Sequence, residues 1–199
     1  MGKTYSYTKP IIKFIDLEGR RKYLNQNERA MYFKSAMEFD EPIRSFGLNL
    51  FYTGSRISET LSILTSHFDF EAESVLIRSL KKRDEYHERL IYLPPSFLTI
   101  IKNYIKILNK TENHSNRTVW PFTRQTGDRY VKKIMLNAGL NEVKVSAITL
   151  RHSFAINALQ KGVPITILKE FMGHESIETT NIYTQFGSFE QKQFAMKMW

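Results

Sequence analysis

Apolar residues recur at helical spacing along most of the chain, and the breaks in that rhythm mark its elements. From Leu24 onward, Met31, Phe33, Ala36 and Met37 offer one apolar face, with Asn25 placed to cap the helix and Glu28 at the reciprocal capping-box position. The break comes at 40–42, Asp-Glu-Pro. Ile43, Phe46, Leu50 and Phe51 predict a second helix over 43–52, which Gly54 stops. In TGSRISETLSIL, Thr53 or Ser55 can cap a third helix that buries Ile57, Leu61 and Leu64 and carries Arg56 in its first turn. Short runs rich in Val, Ile and Leu follow at 74–80 and 89–93. Separated by KKRDEYHE, they predict a β-hairpin whose long polar loop starts with Lys81, Lys82 and Arg83. Pro94 and Pro95 close the second strand, and Phe97, Ile100, Ile101, Tyr104, Ile105 and Leu108 then fall on the core face of another helix.

Residues 110–117 are a polar connector, after which Val119, Trp120 and Phe122 return to the core. A helix over 128–138, stopped by Gly139, carries Arg129, Lys132 and Lys133 on its polar side. Two short helices follow, LRHSFAINALQ and ITILKEFM, separated by KGVP, where Gly162 ends one and Pro164 can open the next. The stretch 149–183 gathers Arg151, His152, His174 and Tyr183 at helix edges and turns. Beyond it, Phe189, Phe194, Met196, Met198 and Trp199 make the tail too apolar to be simply solvated; it packs on its own domain or docks on a neighbouring subunit. The expected organisation is a basic arm or linker over 1–22, one mainly α (α+β) domain with a small antiparallel sheet over 23–186, and a tail over 187–199.

Composition narrows the partners more than the fold. A hydrophobic content of 42% supports a single well-buried domain in 199 residues. The net charge of +9 and pI near 9.6 favour a polyanion, because clustered Lys and Arg release counterions from a nucleic-acid backbone. The chain has no cysteine, which excludes disulfides and thiolate metal sites and fits a reducing cytoplasm. No apolar run approaches the ~20 residues that cross a bilayer, and 1–10 has no signal-peptide core.

Three separated motifs carry the chemistry: TGSRISE around Arg56, LRHSFA around Arg151, and FMGHESIETTNIYT from His174 to Tyr183. Taken alone, Arg56 reads as a surface arginine, near a helix start where a cation is favourable only if an anion joins it. Together and in order, the motifs resemble the tyrosine recombinase (phage integrase) family. That family's catalytic set reads Arg, Lys, His-x-x-Arg, His or Trp, and Tyr, with a Gly-His step nine residues before the nucleophile. His174 stands nine residues before Tyr183. The resemblance spans about 24–183 and implies the helical catalytic core of that family with its small antiparallel hairpin.

What it implies for the residues is chemically coherent. Arg56 and Arg151 would bind the non-bridging oxygens of a phosphodiester, since guanidinium hydrogen-bonds bidentately and stays charged. Tyr183 would be the nucleophile of a 3′-phosphotyrosyl intermediate, with His174 assisting it or hydrogen-bonding the phosphate. Lys82, or Lys81 if the register shifts by one, would protonate the leaving 5′ oxygen. Glu59 either orients the site or forms a helix-surface ion pair. His152 matches a position with a buried, hydrogen-bonding role, and His67, His87 and His114, without metal-ligand spacing, are expected to be exposed. Lys81, Arg83, Arg129, Lys132 and Lys133 are candidate DNA contacts.

Two departures stand out. The family's first histidine falls on Ile148, which can neither donate to a phosphate nor move a proton. Only about 22 residues precede Leu24, where larger members carry a DNA-clamping domain. The expected function is therefore site-specific strand transfer on double-stranded DNA by a tetramer, without metal, nucleotide or other cofactor and without a membrane. The expected setting is the cytoplasm, on the nucleoid, of a bacterial, archaeal or phage-encoded system. The alternatives are a weakened or silent DNA-binding regulator with the same fold, favoured by Ile148, and a type IB topoisomerase-like activity.

Overall fold

The computed structural model describes residues 14–79, 87–111 and 116–184. Three helices open it: α1 (Gln26–Met37), α2 (Ile43–Thr53) and the single-turn α3 (Ile57–Leu61). Three antiparallel strands follow, β1 (Phe68–Asp69), β2 (Ser74–Arg78) and β3 (Glu88–Tyr92), in the order β1-β2-β3. Helices α4 (Pro95–Thr111), α5 (Arg124–Asn137), α6 (Ala147–Gln160), α7 (Ile165–Met172) and α8 (Ile177–Asn181) complete the domain. The class is the expected one, mainly helical with a small antiparallel sheet. Among the described residues no helix is long and apolar enough to cross a membrane.

Helix α2 is the centre of the core. Phe46, Leu48 and Leu50 are buried on it, and it is packed by α1, α4, α5 and α6. Each such side chain contributes about 1.5–3 kcal/mol on leaving water. Two polar side chains reach across this core to partners: Trp120 donates to Ser45 Oγ at 3.0 Å, and Ser35 donates to the Ile134 carbonyl at 2.9 Å.

Helix α1 starts as expected, with Asn25 accepting from the Glu28 amide at 2.9 Å and Glu28 accepting from the Asn25 amide at 2.7 Å. Its buried face is Tyr32, Ser35 and Ala36, however, while Met31 and Met37 are exposed. Tyr32 stacks on Phe51 and its neighbours occupy the α5 contact, so aromatic packing chose the face over the methionines. Helix α5 begins at Arg124 rather than 128, because Thr123 caps it by accepting from the Thr126 amide at 3.2 Å. His67, expected outside, is buried; its Nδ1 accepts from the Leu64 amide at 3.3 Å and closes a short turn.

The expected arm over 1–22 is described from Phe14, and from there it belongs to the packed domain. Phe14 is 2% exposed. Residues 15 and 21 pair, Lys144 donates its amide to the Arg21 carbonyl at 2.8 Å, and the Leu24 amide donates to Ser153 Oγ at 2.7 Å. Lys81, Lys82 and Arg83, and the tail over 187–199, lie outside the described residues.

Candidate active site

The site begins where α2 stops. Gly54 takes a left-handed conformation (φ 59°), and a Cβ there would meet the Phe154 ring at 2.5 Å, so both conformation and space call for glycine. A chain of hydroxyls shapes the turn: Thr53 donates to the Asn49 carbonyl at 2.7 Å, Ser55 Oγ lies 2.8 Å from Thr53 Oγ1, and 2.6 Å from Thr60 Oγ1. Neither Thr53 nor Ser55 caps α3; Arg56 occupies the cap position. The anion that joins it is Glu59, which accepts from the Arg56 amide at 3.0 Å and from Arg56 Nη1 at 2.6 Å.

Glu59 is not a helix-surface residue. It is 1% exposed and sits among three guanidiniums: Arg56, Arg89 at 2.7 Å, and Arg151 at 4.0 Å. Burial alone would push its carboxyl up, but Arg89, the Arg56 amide and Arg151 outweigh it and hold the group below the usual carboxylate range.

Arg151 reaches across the domain from α6. Nη1 donates to the Gly54 carbonyl at 2.8 Å and Nη2 to the Met172 carbonyl at 2.6 Å. Burial, then the neighbouring Arg56, lowers its pKa to about 10, which leaves it charged at neutral pH. It thereby ties the end of α2 to the end of α7. Helix α7 ends at Gly173, again left-handed (φ 58°), and the next residue, His174, turns into the site with Nδ1 2.9 Å from Thr180 Oγ1. Burial and then Arg151, Arg56 and Arg89 lower the His174 pKa to about 4, against the opposing pull of Glu59, so its imidazole is neutral at pH 7.

Tyr183 follows α8, a short helix not foreseen from the sequence. Its ring is 2% exposed, its hydroxyl lies 2.8 Å from His152 Nδ1, and Phe14 packs against both rings. Burial pushes the phenol up to about 12, although Arg151 and Arg56 pull the other way. His152 is lowered to about 4, by burial and then by Arg151 and Lys22. The imidazole touching the phenol is thus His152, while Nδ1 of His174 is engaged by Thr180.

Arg56, Arg151, His152, His174 and Tyr183 line one cleft of about 780 Å³. Ile148 lies on its wall, 54% exposed, one turn before Arg151. From α5 the cleft takes Arg124 and Asp128, which the sequence reading passed over. Of the α5 residues it did select, Lys132 pairs with Asp128 at 2.8 Å, Arg129 donates to Thr126 at 3.2 Å, and Lys133 lies over the Phe39 ring, all outside the cleft lining. Arg89 was also missed. Its signal was periodicity: Arg89 and Ile91 share the buried face of β3, and a cation there needs a buried anion. Among the described residues no group of three His, Cys, Asp or Glu side chains is arranged to hold a metal ion.

A sequence profile of the Phage integrase family matches residues 22–188. The tyrosine recombinase XerA of Pyrococcus furiosus is 32% identical over 151 residues, which are 69% of this chain and 48% of that protein. A tyrosine recombinase of Thermosipho africanus is 28% identical over 199 residues, covering 96% of this chain and 68% of that one. Apart from the Thermosipho protein, the chain spans about half the length of such curated relatives. Among solved structures, a XerA recombinase superposes with TM-score 0.73 at 23% identity, covering 88% of this chain and 64% of that one. A XerH site-specific recombinase, bound to palindromic difH substrate in a post-cleavage complex, does so with TM-score 0.73 at 25% identity, covering 87% and 52%.

Proposed function

Because the chain belongs to the phage integrase family, we propose that it cuts and rejoins double-stranded DNA at specific sites through a 3′-phosphotyrosyl bond on Tyr183. The observation that carries this reading is the convergence of Arg56, Arg151, His174 and Tyr183, from both halves of the chain, on one open cleft. The net charge of +9 supports a polyanionic partner.

In the reaction, Tyr183 Oη bonds to phosphorus while the bond to the 5′ oxygen breaks. Arg56 and Arg151 neutralise the non-bridging oxygens; both guanidiniums are already positioned by Glu59 and by backbone carbonyls, so little reorganisation accompanies the charge change. With its pKa near 12 the phenol arrives protonated, and neutral His152, 2.8 Å away, is the nearest acceptor for its proton. Thr180 on Nδ1 leaves Nε2 of His174 for a phosphate oxygen. Lys82, or Lys81, delivers a proton to the 5′ oxygen in this scheme. Reversal rejoins the strand, because the phosphotyrosyl bond conserves the energy of the diester.

Exchange between two sites calls for four protomers, and the apolar tail is suited to link them. Lys81, Arg83, Arg129, Lys132 and Lys133 supply further contacts to DNA, and the setting is the cytoplasm, on the nucleoid. Ile148 on the cleft wall favours a slow enzyme.

The test is a duplex selected for binding from random sequence, then nicked beside the cleavage point to trap the intermediate. A denaturation-resistant protein–DNA adduct, absent in Tyr183→Phe, is expected. A tightly bound site that yields no adduct would leave a DNA-binding regulator instead.

A further inference from the structure

Arg89 is the third guanidinium on Glu59, and its arrangement is unlike that of the other two. It sits at the inward position opposite Ile77 at the start of β3, 9% exposed. Nη2 donates to Glu59 Oε2 at 2.7 Å and Nε to the Phe171 carbonyl at 2.9 Å. Arg151 holds the next carbonyl, that of Met172, so two cations secure successive carbonyls of the last turn of α7. Cations are favourable at that end of a helix. The turn that follows delivers His174. Gly173 is bounded by the same guanidinium: a Cβ there would lie 2.7 Å from Arg89 Nη1 and 3.0 Å from its Cζ.

Nη1 is buried and has no acceptor among the described residues. A buried donor left unmade is destabilising, and hydrophobic replacement of buried ion pairs is often neutral or stabilising. Stability is therefore a poor reason for an arginine at this position, and geometry a good one. The charge pairs with Glu59 and is close enough to act on His174 and Arg151 as well.

We propose that Arg89 is a positioning residue, holding the Glu59 carboxylate and the 171–174 turn in register so that Arg56, Arg151 and His174 meet the same phosphate. This rests on the recombinase reading for its catalytic consequence, though not for its structural one. Arg89 itself does not line the cleft with Tyr183; it faces a smaller one of about 260 Å³ behind His174.

Two variants of the full chain separate fork geometry from charge. Arg89→Lys keeps the cation and loses the fork; Arg89→Met keeps the stem and loses both. On the nicked site, Arg89→Lys is expected to lower the rate of adduct formation by about 10- to 100-fold, the scale of an ångström-level misplacement, while site affinity stays within about threefold, since Arg89 is not at the open surface. In DNA-free protein, the ring resonances of His174 are titrated by NMR. The charged groups facing it are Arg151, Arg56, Arg89 and Glu59. Removing one cation in Arg89→Met is expected to raise the His174 midpoint, and Arg89→Lys to leave it nearly in place. An adduct rate within twofold of wild type in Arg89→Lys, or an unmoved His174 midpoint in Arg89→Met, would overturn the proposal. If wild type itself forms no adduct, the recombinase reading is what fails, and the His174 midpoint alone decides the role of Arg89.

Discussion

The hydroxyl of Tyr183 lies 2.8 Å from Nδ1 of His152, inside a sandwich closed by Phe14. The phenol is held un-ionised by burial and the imidazole un-ionised by burial and Arg151. This neutral pair meets the cleft at the point where Arg56 and Arg151 enter it.

Acid should loosen that pair. In the folded protein the His152 pKa is about 4, below its ordinary value near 6.5, so between those values the unfolded chain binds more protons. Stability is therefore fully present above about pH 6.5 and is lost as pH falls through about 4. At ~1.36 kcal/mol per pKa unit the loss is at most about 3 kcal/mol. Urea midpoints at pH 7 and pH 4.5 should drop less in His152→Asn than in wild type.

Among the described residues, Glu59 is the only carboxylate paired with these three guanidiniums, and Glu59→Gln removes it. Uncompensated buried charge costs about 3–5 kcal/mol, and urea unfolding at pH 7 should show a loss of that order. Glu59→Asp, which keeps the charge on a shorter stem, should recover much of the stability but little of the adduct rate.

Phe14→Ala should destabilise the domain by about 3–5 kcal/mol, as for other buried aromatics, with faster hydrogen exchange around Tyr183. Leu17, three residues on and fully exposed, is the control: Leu17→Ala should stay within about 0.5 kcal/mol. Equal effects would mean that 14–22 do not belong to the packed domain.

Ile148→His should accelerate adduct formation at least about tenfold, since a well-placed hydrogen-bonding or acid–base group contributes roughly 10²–10⁴-fold. Position 148 is half exposed on the cleft wall, so the change should leave the thermal midpoint nearly unmoved. An unchanged rate on the nicked site would count against placing position 148 where the family's first histidine stands.

Local sequence was sufficient wherever the information lay within a turn or two. The Asn25–Glu28 cap, the stops at Gly54 and Gly139, the β2–β3 pairing and the Gly-His step before Tyr183 all depend on near neighbours, and all are present. The residue types needed for phosphate chemistry were legible for the same reason. What only the tertiary structure decided is which groups touch. Met31 and Met37 fit the helical rhythm, yet Tyr32 and Ala36 face the core, because α5 and the Phe51 ring determine the side of α1 that is covered. Phe14 lies in a basic, aperiodic segment and still closes over Tyr183, more than 160 positions away. His152 rather than His174 meets the phenol, and Glu59 gathers cations from α3, β3 and α6. Such contacts join segments far apart in the chain, and their energies come from mutual desolvation, which no local pattern of residues records.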